Sequence, residues 1–274
     1  GAINTYVQTP GSQIGVDLAG NTALDPEQGT TVTVGMAWQS PSDNQWLTRL
    51  RGTVDYWNIK IKDAILTPTP NQIVAACYNY YGTNPTYDPA NSNCDGILRV
   101  GGDILWIYNP ATGYAEFIGD NGGHQEASGI DFQFDYGFDM EWLGFENLGT
   151  VRLNAMISYM IEFKQQDPIS GVPELDFAGT AAYFGSGLGT SYPEWKANFT
   201  GTWDIGNLDL SFRARYISEM QNRLEVEFPG EHFTGPDAIW YWDVAGSYAL
   251  TDSVEFRLGV NNVFDEQPST YAPN

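Results

Sequence analysis

The stretch Trp240-Tyr-Trp-Asp-Val-Ala-Gly-Ser-Tyr-Ala-Leu250, then Thr251-Asp252, then Ser253-Val-Glu-Phe-Arg-Leu-Gly-Val-Asn-Asn-Val-Phe-Asp265, decides the fold class. Before the turn, Trp240, Trp242, Val244, Gly246, Tyr248 and Leu250 alternate with Tyr241, Asp243, Ala245, Ser247 and Ala249. After it, Val254, Phe256, Leu258 and Val260 alternate with Glu255, Arg257, Gly259 and Asn261. A period of two over this length predicts a long hairpin with one apolar and one polar face. The polar face carries full charges, and aromatics cap the apolar face. A soluble sandwich uses shorter strands and turns its polar face to bulk water. Long strands with an aromatic-tipped apolar face fit a barrel with lipid outside and water inside.

The same alternation recurs upstream. After a loop-like start, Gly1 to about Gly29, Thr30–Gln39 places Val32, Val34, Met36 and Trp38 on one face. Leu47–Ile61 predicts a long strand, with a change of face near Tyr56 that marks a bulge. Within Tyr114–Met140, six apolar residues from Ile130 to Met140 oppose Asp131, Gln133, Asp135, Gly137 and Asp139. Val151–Phe163 is another such strand, and Glu194–Ile205 with Leu208–Ser218 predicts a hairpin across Gly206-Asn207. The reading is all-β: eight antiparallel strands of a transmembrane barrel. It sends Phe132, Phe134, Ile157, Phe212 and Phe256 to lipid, and Asp131, Asp135, Asn154 and Arg257 to the lumen.

Connections alternate in length. Ser40–Gln45, Trp142–Gly149, Gly206-Asn207 and Thr251-Asp252 are short; Leu66–Gly113, Lys164–Pro193 and Glu219–Pro236 are long. Outer-membrane barrels have short periplasmic turns and long external loops. Both chain ends then fall at the long-loop end, as expected of an excerpt from a larger barrel. A strand that partners the last one, about ten residues long, is expected after Asn274 or from another chain.

Composition narrows the function classes. No run of about 18 apolar residues occurs, which excludes a membrane-spanning helix but not spanning strands. The 9 Trp, 16 Tyr and 14 Phe suit interfacial girdles, to which we assign Trp57, Trp106, Trp142, Trp195, Trp203, Trp240 and Trp242. A net charge of −22 argues against nucleic acid, which needs a basic footprint, and reads first as solvation of loops. The chain opens Gly1-Ala-Ile-Asn-Thr5, without the basic and apolar regions of an export signal.

Cys77 and Cys94 lie in one Tyr/Asn/Pro-rich segment. Two thiols do not make a four-ligand zinc site. A disulfide in an oxidising compartment is the expected pairing, worth about 3 kcal/mol in the chain-entropy model. Free thiols would suit a cytosolic chain. The same segment gathers Tyr78, Tyr80, Tyr81 and Tyr87 with Asn79, Asn84 and Asn91, groups that suit a sugar or a siderophore, or else a self-packed loop.

Catalytic signals are thin. His124 and Glu126 share a strand face near Asp120, Asp131 and Asp135, where polar lumen lining explains them better than a metal or acid/base site. His232 stands alone in a loop, and Gly185-Ser-Gly and Gly201-Thr-Trp are loop or strand glycines. No nucleophile elbow, metalloprotease helix or phosphate loop occurs, so neither an enzyme nor a cofactor is expected.

Several motifs resemble those of TonB-dependent outer-membrane receptors. They are Val260-Asn-Asn-Val-Phe-Asp265 with Gln267-Pro268; Asn21 to Glu27 with Leu24-Asp-Pro-Glu; and Val54-Asp-Tyr-Trp-x-Ile-x-Ile-x-Asp-Ala-Ile65. Cys94-x-x-Ile-x-Arg99 and Asn121-x-Gly with Ser128-Gly-Ile-Asp131 follow the same order. The resemblance implies residues 1–274 as part of a barrel of about 22 strands, without the family's plug. It further implies an outer-membrane active transporter of a Gram-negative bacterium. Its partners would be membrane lipid, a small nutrient ligand (siderophore, vitamin or oligosaccharide) and the TonB complex, reached through the missing N-terminal part. The alternative is a passive pore or a structural or adhesion module.

Overall fold

The structure, a computed structural model, describes residues 16–68, 70–99, 113–169, 171, 173–181, 191–227 and 234–269. Trp106, Gly185-Ser-Gly, His232 and the end at Tyr271–Asn274 lie outside the described residues.

The strands in chain order are β1 (Val16–Ala19), β2 (Gln28–Gln39), β3 (Arg51–Leu66), β4 (Ile97–Arg99), β5 (Gly113–Ile118), β6 (Asp120–Asp139) and β7 (Thr150–Gln166). They continue with β8 (Leu175–Asp176), β9 (Thr180–Ala181), β10 (Trp195–Ile205), β11 (Leu208–Ile217), β12 (Gln221–Asn222), β13 (Ile239–Thr251) and β14 (Val254–Val260). Two short helices are α1 (Pro70–Cys77) and α2 (Arg223–Glu227). Eight long strands form one sheet in the order β14-β13-β11-β10-β7-β6-β3-β2, with β8 pairing β7. The described residues fall into two compact units. One draws on the described residues within Gly1–Thr30, Lys60–Glu126 and Lys164–Asp176, the other on those within Thr31–Ile59, Ala127–Phe163 and Phe177–Asn274.

Several boundaries differ from the sequence expectation. The second strand starts at Arg51, not Leu47, because an Asn44-centred turn takes the intervening residues. Asn44 accepts the Trp46 N–H on its side chain, and the Leu47 and Thr48 N–H groups on its carbonyl. That strand runs on past Ile61 to Leu66. The Tyr114–Met140 stretch is two strands, parted at Gly119. The supposed loop start contains β1, and the segment after Leu66 contains α1, a 3-10 turn at Ser92–Cys94 and β4. Local hydrogen bonding builds the 3-10 turn, and pairing with the distant β5 builds β1 and β4; period-two patterning reveals neither.

In the second unit the registers separate two faces. Asn154, Thr200, Arg213 and Asp243 lie directly across β7, β10, β11 and β13, and Thr150, Asp204, Asp209, Ser247 and Arg257 form the next polar line but one. Between them, Leu153, Gly201, Phe212, Val244 and Val260 form an apolar line. A one-residue register slip would exchange the faces. The apolar face stays open: Phe212 is 45% exposed, Phe256 59% and Leu258 84%. Water penalises so large an apolar surface, whereas lipid does not.

Aromatics close both ends of this face. Tyr159 stacks on Trp195 at 4.3 Å, and Trp240 contacts both Tyr216 and Trp242. Toward the short turns, Trp203 donates Nε1–H to the Leu148 carbonyl at 2.7 Å, and Trp46 meets Trp142 edge-on. Trp195 and Trp203 are eight residue steps apart along β10, about 26 Å at 3.3 Å per residue. At a strand tilt of about 35–45° that spans about 20 Å across the bilayer, most of an apolar band about 25 Å tall. Gly149 (φ 71°) is required in the turn before β7, since a Cβ there would run into the Asp204 carbonyl.

Candidate functional site

Cys77, at the end of α1, is bonded to Cys94 in the 3-10 turn. With Ile73 and Ile97 the bridge forms a buried cluster, on which Val74, Tyr78 and Ile169 pack. Amides hold the chain between the cysteines. Fully buried Asn84 donates Nδ2–H to the carbonyls of Cys77 (2.7 Å) and Asp88 (3.0 Å), and its Oδ1 accepts the Asp88 N–H at 2.9 Å. Asn79 accepts the Asn84 N–H, while Asn91 donates to the Thr83 carbonyl and accepts the Asn93 N–H. The amides that suited a ligand are therefore committed to the loop's own backbone, where each stands in for a peptide group.

The tyrosines are placed differently. Tyr78 is packed on the bridge, Tyr80 and Tyr87 are 59% and 42% exposed, and Tyr81 meets Tyr80 edge-on at 5.1 Å. Beside the bridge, in the same unit, lies a cleft of about 680 Å³. Ile73 and Ala76 of α1 line it with Asn21, Thr22, Asn93 and Asp95, and the four tyrosines do not. Small-molecule sites commonly measure about 300–1,000 Å³.

The residues assigned to the lumen lie in the second unit. Asp135 accepts from Asn154 Nδ2 at 2.7 Å and from Gln133 at 3.0 Å. Arg257 grips Glu255 through Nε and Nη2 at 2.8 and 3.0 Å. Asp131 is exposed. A cleft of about 550 Å³ brings Asp135 and Asn154 together with Arg49, Arg51 and Arg152. Arg49, in the turn before β3, binds both oxygens of Asp139, and those hydrogen bonds raise its already high pKa. In the first unit His124 Nε2 lies 3.9 Å from Glu126, whose other oxygen pairs with Lys60 at 2.7 Å. Among the described residues, no three His, Cys, Asp or Glu groups come together as a metal set.

Two polar hubs were not anticipated. Asn121 accepts the Asp25 N–H at 2.7 Å and donates to the carbonyls of Asp25 (2.9 Å) and Asp63 (2.8 Å). Glu27 accepts the Ile65 N–H at 2.7 Å, just past the left-handed Asp63 (φ 53°). The Leu24-Asp-Pro-Glu motif thus satisfies backbone groups freed where β3 is distorted. The second hub is Asp243, 5% exposed, which accepts from Arg213 Nε (2.8 Å), Arg215 Nε (3.0 Å) and the Asn262 N–H (2.9 Å). Its sequence signal is one acid facing two arginines across a strand pair.

A family model described as TonB dependent receptor-like, beta-barrel matches residues 2–263. The chain belongs to this family. Its eight long strands are therefore transmembrane antiparallel barrel strands. No curated protein sequence matches the chain. A ferric enterobactin receptor from Pseudomonas aeruginosa, solved with enterobactin, is similar at TM-score 0.53 and 13% identity, over 93% of this chain and 29% of that one. The FrpB iron transporter from Neisseria meningitidis is similar at TM-score 0.52 and 12% identity, over 91% and 29%. The outer membrane transporter YddB from Escherichia coli is similar at TM-score 0.52 and 9% identity, over 93% and 31%. Identities this low show a shared fold. The chain spans under a third of each of these proteins.

Proposed function

We propose that residues 1–274 supply barrel wall and external loops to an outer-membrane TonB-dependent transporter of a scarce nutrient in a Gram-negative bacterium. The family match over residues 2–263 carries this reading. The open apolar face suits lipid, and the charged face opposite it suits a wet lumen. Exposed Tyr80 and Tyr87, with Tyr78 and Tyr81, form a stapled external surface for first contact with the ligand, since loops on a rigid scaffold carry recognition. Asp131, Asp135, Asn154 and Arg257 line the lumen. The chain contributes no catalytic group and needs no cofactor.

The test is energised uptake. Cells making the protein should accumulate its nutrient, and removing TonB should abolish accumulation while surface binding persists. Accumulation that survives loss of TonB would replace active transport with a passive pore.

A further inference from the structure

The cleft beside the Cys77–Cys94 bridge has the features of a preformed site. Its α1 wall and its Ser92–Asp95 wall are tied together by the bridge, and buried Asn84 secures the chain between them. Little ordering is left to be done on binding. The side chains of Thr22, Ser92, Asn93 and Asp95 line it and make no hydrogen bond among the described residues. Hydroxyl and amide groups both donate and accept, as sugar hydroxyls do, and a carboxylate takes two hydroxyl protons of a diol. Ile73, Ala76 and Ile118 offer an aliphatic surface for a C–H face. Asp95 and Asp120 supply negative charge, and among the described residues no Lys, Arg or His lines the cleft. An anionic chelate would therefore meet the like charge of Asp95 and Asp120.

We propose that this cleft binds an uncharged, hydroxyl-rich small molecule of the saccharide class and rejects anionic chelates. The proposal rests on the receptor reading above and gives that receptor's ligand a place and a charge.

The test uses the membrane-inserted protein on an array of neutral oligosaccharides, each paired with its sulfated counterpart, followed by calorimetry. At least one neutral glycan should bind, with its sulfated counterpart weaker by about tenfold or more. Asp95→Ala, which removes an acceptor, and Asn93→Trp, which fills the cleft, should each weaken it by about tenfold. Heat-modified gel mobility and an intact disulfide report that both variants fold. No neutral binder, equal binding of the sulfated partner, or indifference to both substitutions overturns the proposal. Uptake separates the two readings. TonB-dependent accumulation of a nutrient without glycan binding removes only the cleft assignment; a glycan held in the cleft but entering without TonB removes only active transport.

Discussion

The carboxylate of Asp243 on β13 accepts the backbone N–H of Asn262 at 2.9 Å. That bond ties the segment after β14 back to the preceding strand. Asn262 adopts φ 53°, and its amide exchanges hydrogen bonds with the backbone of Glu266. The Val260-Asn-Asn-Val-Phe-Asp motif is thus a turn whose free N–H is met by a buried acid, itself held by Arg213 and Arg215.

Replacing Asp243 with Ala should destabilise the protein by about 2–3 kcal/mol, since charged hydrogen bonds are lost and the half-buried Asn262 N–H loses its acceptor. The two arginines keep partial solvent access, which moderates the loss. Urea unfolding of the membrane-inserted protein measures it, and an unchanged midpoint would show that Asp243 is not a hub.

Lipid and lumen faces should differ in their tolerance of charge. Phe212→Arg, at mid-strand on the open apolar face, should cost about 2–4 kcal/mol, whereas Ser211→Arg on the polar face should cost little. Folding free energies in bilayers compare the two. Equal costs would refute the assignment of faces.

Cys77 and Cys94 should resist alkylation until reductant is added. Mass spectrometry of the unreduced protein tests this, and two labelled thiols would sink the pairing. Cys77→Ser with Cys94→Ser should loosen the loop by about 3 kcal/mol in the chain-entropy model, seen as faster proteolysis between residues 78 and 93.

Tyr80→Ser with Tyr87→Ser should weaken nutrient uptake and leave membrane insertion intact, because both rings are exposed. Asn84→Ala should do the reverse of a contact mutation: it leaves the carbonyls of Cys77 and Asp88 without their donor and exposes the loop to protease. Normal uptake by the double Tyr variant would take the tyrosines out of the ligand path.

The strand pattern was legible because the pleat has a period of two. The alternation of Phe212, Ala214 and Tyr216 with Arg213 and Arg215 names both faces without any knowledge of neighbours. The cysteine pair and the short turns were legible for a similar reason, being local. The role of Asn84 was not, since an amide facing solvent and one buried against Cys77 read alike in a sequence. Nor was the start of β3 at Arg51, which the Asn44 turn sets, or the work of Glu27, whose partner Ile65 lies 38 positions away. Periodicity records which way a side chain points from its own backbone. Which distant carbonyl or N–H it satisfies depends on how strands and loops are brought together, and only the tertiary structure decides that.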